Sequence, residues 1–155
     1  KNVIEAISNS VQRTFARPIS LTFEGEHVGE WLLPEAESIP IALSLNELLT
    51  NAHKHGNKAT PLVCHVHSQE SQVSIDIHNQ GKLPEGFNLA RVPGGVSGLG
   101  LVRALLPRRS SKFNLSQEGE HVLTHIKLTP PGINLPQIPH ASGAASGHQI
   151  ALWPQ

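Results

Sequence analysis

The chain has no methionine, no tyrosine and a single cysteine, Cys64, among its 155 residues. One thiol permits no internal disulfide, so the fold has to stand on its core, and a reducing compartment suits it. The lack of methionine fits a piece cut from a longer protein. Neither sign of charge prevails, with 12 Lys plus Arg against 12 Asp plus Glu. A generic nucleic-acid binder carries a basic excess, which excludes that class. No apolar run of about 18 residues occurs and no signal peptide opens the chain. The segment is therefore expected to be cytoplasmic and to make no membrane contact, even where the full-length protein is anchored. Hydrophobic residues reach only 38%, whereas Gly and Pro number 13 and 12 and are unevenly spread. Part of the chain therefore reads as loop or tail, and the rest is long enough for one domain with its own core.

Apolar positions three and four apart (Val3, Ile4, Ile7, Val11, Phe15) predict a helix over 1–16, stopped by Pro18. Alternation over 19–24 and again over 27–33, with Gly25-Glu26 between, predicts two strands joined as a hairpin. A long helix is expected from Pro34 to His55, buried through Ile41, Ala42, Leu45, Leu48, Leu49 and Ala52 and broken at Gly56-Asn57. Strands follow over 62–68 and 73–77, then an irregular Gly/Pro-rich stretch over 80–96 and a short helix over 99–106. Two more strands lie at 112–117 and 121–128. The order α-β-β-α-β-β-loop-α-β-β predicts a two-layer α/β (α+β) sandwich, a mixed sheet covered on one face by three helices. After Leu128 the composition turns to Pro, Gly and Ser. The expected division is a domain over 1–130 and a tail or linker over 131–155 that adds little to folding.

The long helix carries a second, polar stripe of Ser44, Glu47, Asn51 and Lys54. At 100° per residue Glu47 and Lys54 lie about 20° apart and Asn51 about 40° beyond Glu47, so a carboxylate, an amide and an ammonium share one ridge. By itself that is also the pattern of a solvated helix face. Ser97-Gly98-Leu99-Gly100-Leu101 places glycines where a loop enters a helix, which lets backbone N–H groups approach phosphate oxygens. It is neither a Walker A loop, since no Gly-Lys-Ser/Thr follows, nor a Rossmann fingerprint, since the third glycine is absent.

Taken together, three blocks resemble the ATP-binding domain of bacterial sensor histidine kinases, in the GHKL superfamily. Asn46-Glu47-Leu48-Leu49-Thr50-Asn51-Ala52-His53-Lys54-His55-Gly56 looks like the N box. Ile77-His78-Asn79-Gln80-Gly81-Lys82-Leu83-Pro84 stands where the G1 box should, and Gly95-Val96-Ser97-Gly98-Leu99-Gly100-Leu101-Val102 resembles the G2 box. Order and spacing match over about 1–130. The resemblance implies a Bergerat-type ATP-binding fold that uses ATP and Mg²⁺. It implies that Asn51 ligates Mg²⁺ and that Glu47 holds a metal-bound water or acts as base near the γ-phosphate. Lys54 and His55 would lie near the phosphates. Ser97, Gly98, Leu99 and Gly100 would line the phosphate loop, and Asn79 and Gly81 the adenine side. The implied reaction is γ-phosphoryl transfer to a histidine on a dimerisation segment of the same protein, with a response regulator downstream. None of the ten histidines is followed by Asp or Glu, the usual acceptor context, so the acceptor is expected outside this chain.

The chain departs from the family pattern in the G1 block. The family's adenine-reading aspartate is Asn79 here, Lys82-Leu83 replaces a spacer and glycine, and the lid segment 85–96 is short, with Arg91 its only cation. An amide oxygen still accepts a hydrogen bond, without the strength of a charged acceptor. These departures support a second reading, a degenerate non-catalytic regulatory module. An anti-sigma-factor type serine kinase is the third. Elsewhere, Cys64 alternates with Leu62 and Val66 and reads as a small core residue. His65 and His67 share a strand face and read as a solvent-facing pair, because no third metal ligand is in view. Trp31 is expected to pack in the second strand. Trp153, His140 and His148 fall in the expected tail.

Overall fold

The structure, a computed structural model, describes residues 2–69, 71–95, 98–135 and 149–151. Helix α1 spans Asn2–Phe15, strand β1 Ile19–Gly25, β2 Leu32–Pro34, helix α2 Glu35–His55, β3 Leu62–Gln69 and β4 Gln72–Gln80. A 3₁₀ turn at Leu89–Arg91 precedes helix α3 (Gly98–Leu105), β5 (Ser111–Glu118), β6 (His121–Leu128) and β7 (Gln149–Ala151). Five strands form one mixed sheet in the order β1-β3-β4-β6-β5, backed by the three helices, so the two-layer sandwich expected from the element order is the architecture found. No helix among the described residues is long and apolar enough to cross a membrane.

Period-2 alternation buries one face of each central strand: Leu62, Cys64 and Val66 of β3, Val73, Ile75 and Ile77 of β4. Against them lies the α2 stripe of Ile41, Leu45, Leu48, Leu49 and Ala52, all 6% exposed or less. Each such aliphatic side chain contributes about 1.5–3 kcal/mol on burial. Cys64 belongs to this core. Burial, with Asp76 nearby, pushes its thiol up to about 12, so it stays protonated and unreactive.

The hairpin expected from 19–33 does not form. β1 pairs with β3 in parallel, Ile19 against Leu62 through Gly25 against Ser68. Residues 26–30 are turn, and the second strand shrinks to Leu32–Pro34, paired antiparallel with β7. Parallel neighbours need a long crossover, and α2 is that crossover. Trp31 is 1% exposed and its Nε1 donates to Ser68 Oγ at 2.8 Å, which holds the chain under the sheet just before β2.

The stretch expected to be a dispensable tail is also corrected at its start. Ile133 is 0% exposed and part of the core. Asn134 exchanges two backbone hydrogen bonds with Leu32, 2.7 and 2.9 Å. Trp153, His140 and His148 lie outside the described residues.

The C-terminus of α2 is pinned by Arg17, a residue with no motif to announce it. It is 4% exposed and donates to the carbonyls of Thr60 (2.8 Å), Asn57 (2.7 Å) and His53 (3.4 Å). His53 itself is 7% exposed and stacks on Phe15, with ring centroids 4.2 Å apart. Burial first, then the charges of Arg17 and Lys58, lower its pKa, so the ring is held neutral. The unfolded ring takes up a proton below about pH 6.5 while the folded ring resists. Stability from this group is therefore full above that pH and falls as the solution is acidified through the folded value. Urea unfolding between about pH 7.5 and 5 should show this loss. His53→Phe, which keeps the stack on Phe15, should flatten the slope; an unchanged slope would contradict the assignment.

Candidate functional site

The three sequence blocks meet at one end of the sandwich. α2 brings Asn51 and His55, β4 brings Asn79 one residue before its end, and Leu99 comes from the first turn of α3; all four line a cavity of about 240 Å³. Leu83, Pro84 and Phe87 from the loop after β4 close one wall, and Val122 and Thr124 of β6 form the floor. The cavity is smaller than the roughly 300–1,000 Å³ of pockets that enclose a whole ligand. It has room for a flat ring system, with any charged appendage left outside. Another groove, of about 740 Å³, runs past Arg91 and Arg103 on the far side of the lid segment and is more open to solvent.

Asn79 is the centre of this arrangement. It is 5% exposed, and its Oδ1 has no hydrogen-bond partner. Leaving such an acceptor unpaired costs about 1–3 kcal/mol. The amide lies directly on Gly56: a Cβ there would stand 1.7 Å from Asn79 Oδ1. Any other residue at 56 would push the Asn79 side chain out of place. The sequence marks Gly56 as a helix stop; the approach of Asn79 is the second reason for it, visible only once β4 is laid beside α2. The backbone joins there as well, with Asn57 N donating to Gln80 O at 2.7 Å.

Glu47 ties the N box to the glycine loop. Its Oε2 accepts from the backbone N–H of Gly98 at 3.1 Å, a carboxylate against the positive end of α3. Gly100 is buried, and a Cβ on it would come within 2.4 Å of Pro93 O, so only glycine lets the lid segment lie on α3. Arg103 of α3 donates to the carbonyls of Ala90 and Val92, which fastens that segment from the other side. Gly81 accepts from Gln117 Nε2 at 3.0 Å and gives its N–H to Glu120 O at 3.0 Å, so the G1 position is joined to the β5–β6 end.

Of the polar stripe expected on α2, Glu47 and Asn51 are half-buried and Lys54 is exposed, as is His55 beside it. Ser44 is a correction: it is 0% exposed, and its hydroxyl donates to Pro40 O at 2.8 Å, so it takes no part in the ridge. Lys54 is not among the residues lining the cavity. Ser97 lies outside the described residues. Residues that sequence reasoning missed here are Phe87 and Thr124, and Gly56 was read as a helix stop and N-box end without its contact to Asn79. Thr124 had a signal, since it shares the inward parity of Val122 and Ile126 on β6.

A five-stranded mixed sheet under three helices, with an N-box amide, a G1 amide and a glycine-entered helix around one cavity, is a specific combination. Solved structures share the fold. The nucleotide-free catalytic domain of the histidine kinase ThkA superposes with a TM-score of 0.60 at 18% identity, over 83% of this chain and 90% of that one. The fold is that of a histidine-kinase catalytic domain. The mycobacterial sensor histidine kinase MprB matches such a fold with a TM-score of 0.63 at 16% identity, over 83% of this chain and 92% of that one. The histidine kinase domain of the Erythrobacter litoralis EL346 blue-light activated histidine kinase gives 0.62 at 20% identity; this chain covers 58% of its length. ThkA is also known in complex with the response regulator TrrA, where this chain matches 39% of the kinase. No protein-family model and no curated protein matches the sequence.

Proposed function

We propose that the chain is the ATP-binding catalytic domain of a two-component sensor histidine kinase, which delivers the γ-phosphoryl of ATP to a histidine on a separate dimerisation segment. The observation that carries this reading is the buried, unpartnered Oδ1 of Asn79 seated on Gly56 at the wall of a cavity sized for a flat base. An exocyclic amine is the donor that such an acceptor lacks, and adenine supplies one. The base would lie between Leu83 and Phe87 on one side and Val122 and Thr124 on the other. The phosphates would then leave toward the α3 entrance, where Leu99 would offer its backbone N–H beside that of Gly98, which Glu47 holds.

The donor set also fits Mg²⁺, which takes hard oxygen ligands and is commonly held by one or two protein groups plus substrate phosphates. Asn51 would be the protein ligand through its amide oxygen, and bound Mg²⁺ would neutralise phosphate charge. Glu47 holds the Gly98 N–H now and is the carboxylate nearest the expected phosphates; there it would orient a water or accept a proton. Lys54 and His55, both exposed, would meet the outer phosphates. The acceptor histidine and a response regulator are the partners this reading requires.

Asn79→Asp tests the reading. A charged acceptor is worth about 1.5–3 kcal/mol against about 1 for a neutral one, so ATP should bind several-fold more tightly. Desolvation of the new carboxylate, at a position only 5% exposed, opposes part of that gain. GTP presents a carbonyl where ATP presents the amine and should not gain. Calorimetric titration of both nucleotides into both proteins decides it. Equal changes for the two, or none for ATP, would show that Asn79 does not read adenine and would favour the non-catalytic alternative.

A further inference from the structure

The outer face of the sheet, opposite the helices, carries a cluster that the kinase reading does not use. Because β1 runs parallel beside β3, Glu24 stands directly across from His67, and His65 is two residues further along the same face. Glu24 Oε1 lies 2.9 Å from His65 Nε2 and 3.5 Å from His67 Nδ1. One ligand atom from each of the three residues falls within 4.8 Å of the others. A tetrahedral zinc ion with bonds of about 2.0–2.1 Å separates its nitrogen and oxygen ligands by about 3.3 Å, between the two distances found. Two imidazoles and one carboxylate are a known zinc donor set, which leaves a fourth position for water. Glu24 is 61% exposed and the imidazoles 31% and 37%, so an ion reaches them without opening the fold.

Outer contacts hold both rings in place, and that of His65 suits a metal ligand. Thr22 Oγ1 sits 2.6 Å from His65 Nδ1. When that nitrogen carries the proton and donates to the hydroxyl, Nε2 turns a lone pair toward the Glu24 carboxylate. Two acceptors at 2.9 Å repel unless a proton or a cation stands between them. Gln69 Nε2 lies 3.3 Å from His67 Nε2 and, as an amide nitrogen, donates to it; the His67 Nδ1 proton then faces Glu24 and is the one a bound ion displaces. An acceptor such as the Thr22 hydroxyl sets the tautomer and orientation of a ligating histidine.

We propose that Glu24, His65 and His67 bind a zinc ion that latches edge strand β1 to β3. The site is independent of the nucleotide reading, since it lies on the other face of the sheet and involves none of its residues. The test is calorimetric titration of zinc chloride into the 155-residue chain at about pH 7.5, where unperturbed imidazole is mostly neutral. One equivalent should bind, and the melting temperature should rise with zinc. Glu24→Gln should weaken binding by about tenfold or more, and His65→Asn with His67→Asn should remove both the binding and the thermal shift. His78→Asn, on β4 and outside the cluster, should bind zinc as the wild type does. All of these are exposed or half-exposed positions, and circular dichroism confirms that each variant is folded before titration. Absence of wild-type binding at stoichiometric concentrations would overturn the site. So would wild-type affinity in the His65/His67 variant, or an equal loss in His78→Asn.

Discussion

Asn51→Ala should remove the magnesium-dependent part of ATP binding while leaving the fold intact. The side chain is half-buried at the cavity wall and stands one helical turn from Glu47, which already reaches the α3 entrance through Gly98. Losing the only amide oxygen proposed to hold the ion should cost at least about tenfold in Mg-ATP affinity, the scale seen when even an outer contact of a metal site is lost. The affinity measured in EDTA should barely move, because the base contacts at Asn79 remain. Calorimetry with and without Mg²⁺ separates the two. Equal Mg-ATP affinity in variant and wild type would remove Asn51 from the metal site.

Truncation after Pro131 should lower the melting temperature by about 10 °C. The deleted part begins with Gly132 and Ile133, and Ile133 is 0% exposed in the core. Emptying an aliphatic core position costs about 2–5 kcal/mol, and at this chain length each kcal/mol shifts the midpoint by about 2–4 °C. The two backbone hydrogen bonds between Leu32 and Asn134 are lost as well. Ile133→Ala in the full chain should reproduce most of the loss through the side chain alone. An unchanged midpoint in the truncated chain would mean that the core closes without this segment.

Where the sequence carried a period, it was legible. The stripe of Ile41, Leu45, Leu48 and Leu49 marked α2, and the alternations of β3, β4 and β6 marked their buried faces, including the inward parity that puts Asn79 among them. The three blocks that meet at the cavity stood out because each combines side-chain type with position. Pairing partners were not legible. Alternation in 19–24 says which side chains turn inward but nothing about which strand lies alongside, and Gly25 suggested a local return that the chain does not make. That one error also hid the zinc cluster, since Glu24 becomes a third ligand only when β1 lies beside β3. Ile133 was hidden for a similar reason: Ile133 and Leu135 between two prolines are too short a run to carry a period, and the backbone partner of Asn134 between them is Leu32, far upstream. Arg17 left no signal, because its partners are backbone carbonyls, which no side-chain pattern records.

The central claim is that Asn79 and Gly56 form the seat of an adenine base. It is tested most directly by titrating ATP into isotope-labelled protein while following the Asn79 side-chain amide and the Gly56 backbone amide by NMR. The account predicts saturable shifts at both, together with Leu99, and little response at His65 or His67 on the opposite face of the sheet. Shifts confined to other surfaces, or no shift at Asn79 under saturating ATP, would contradict it.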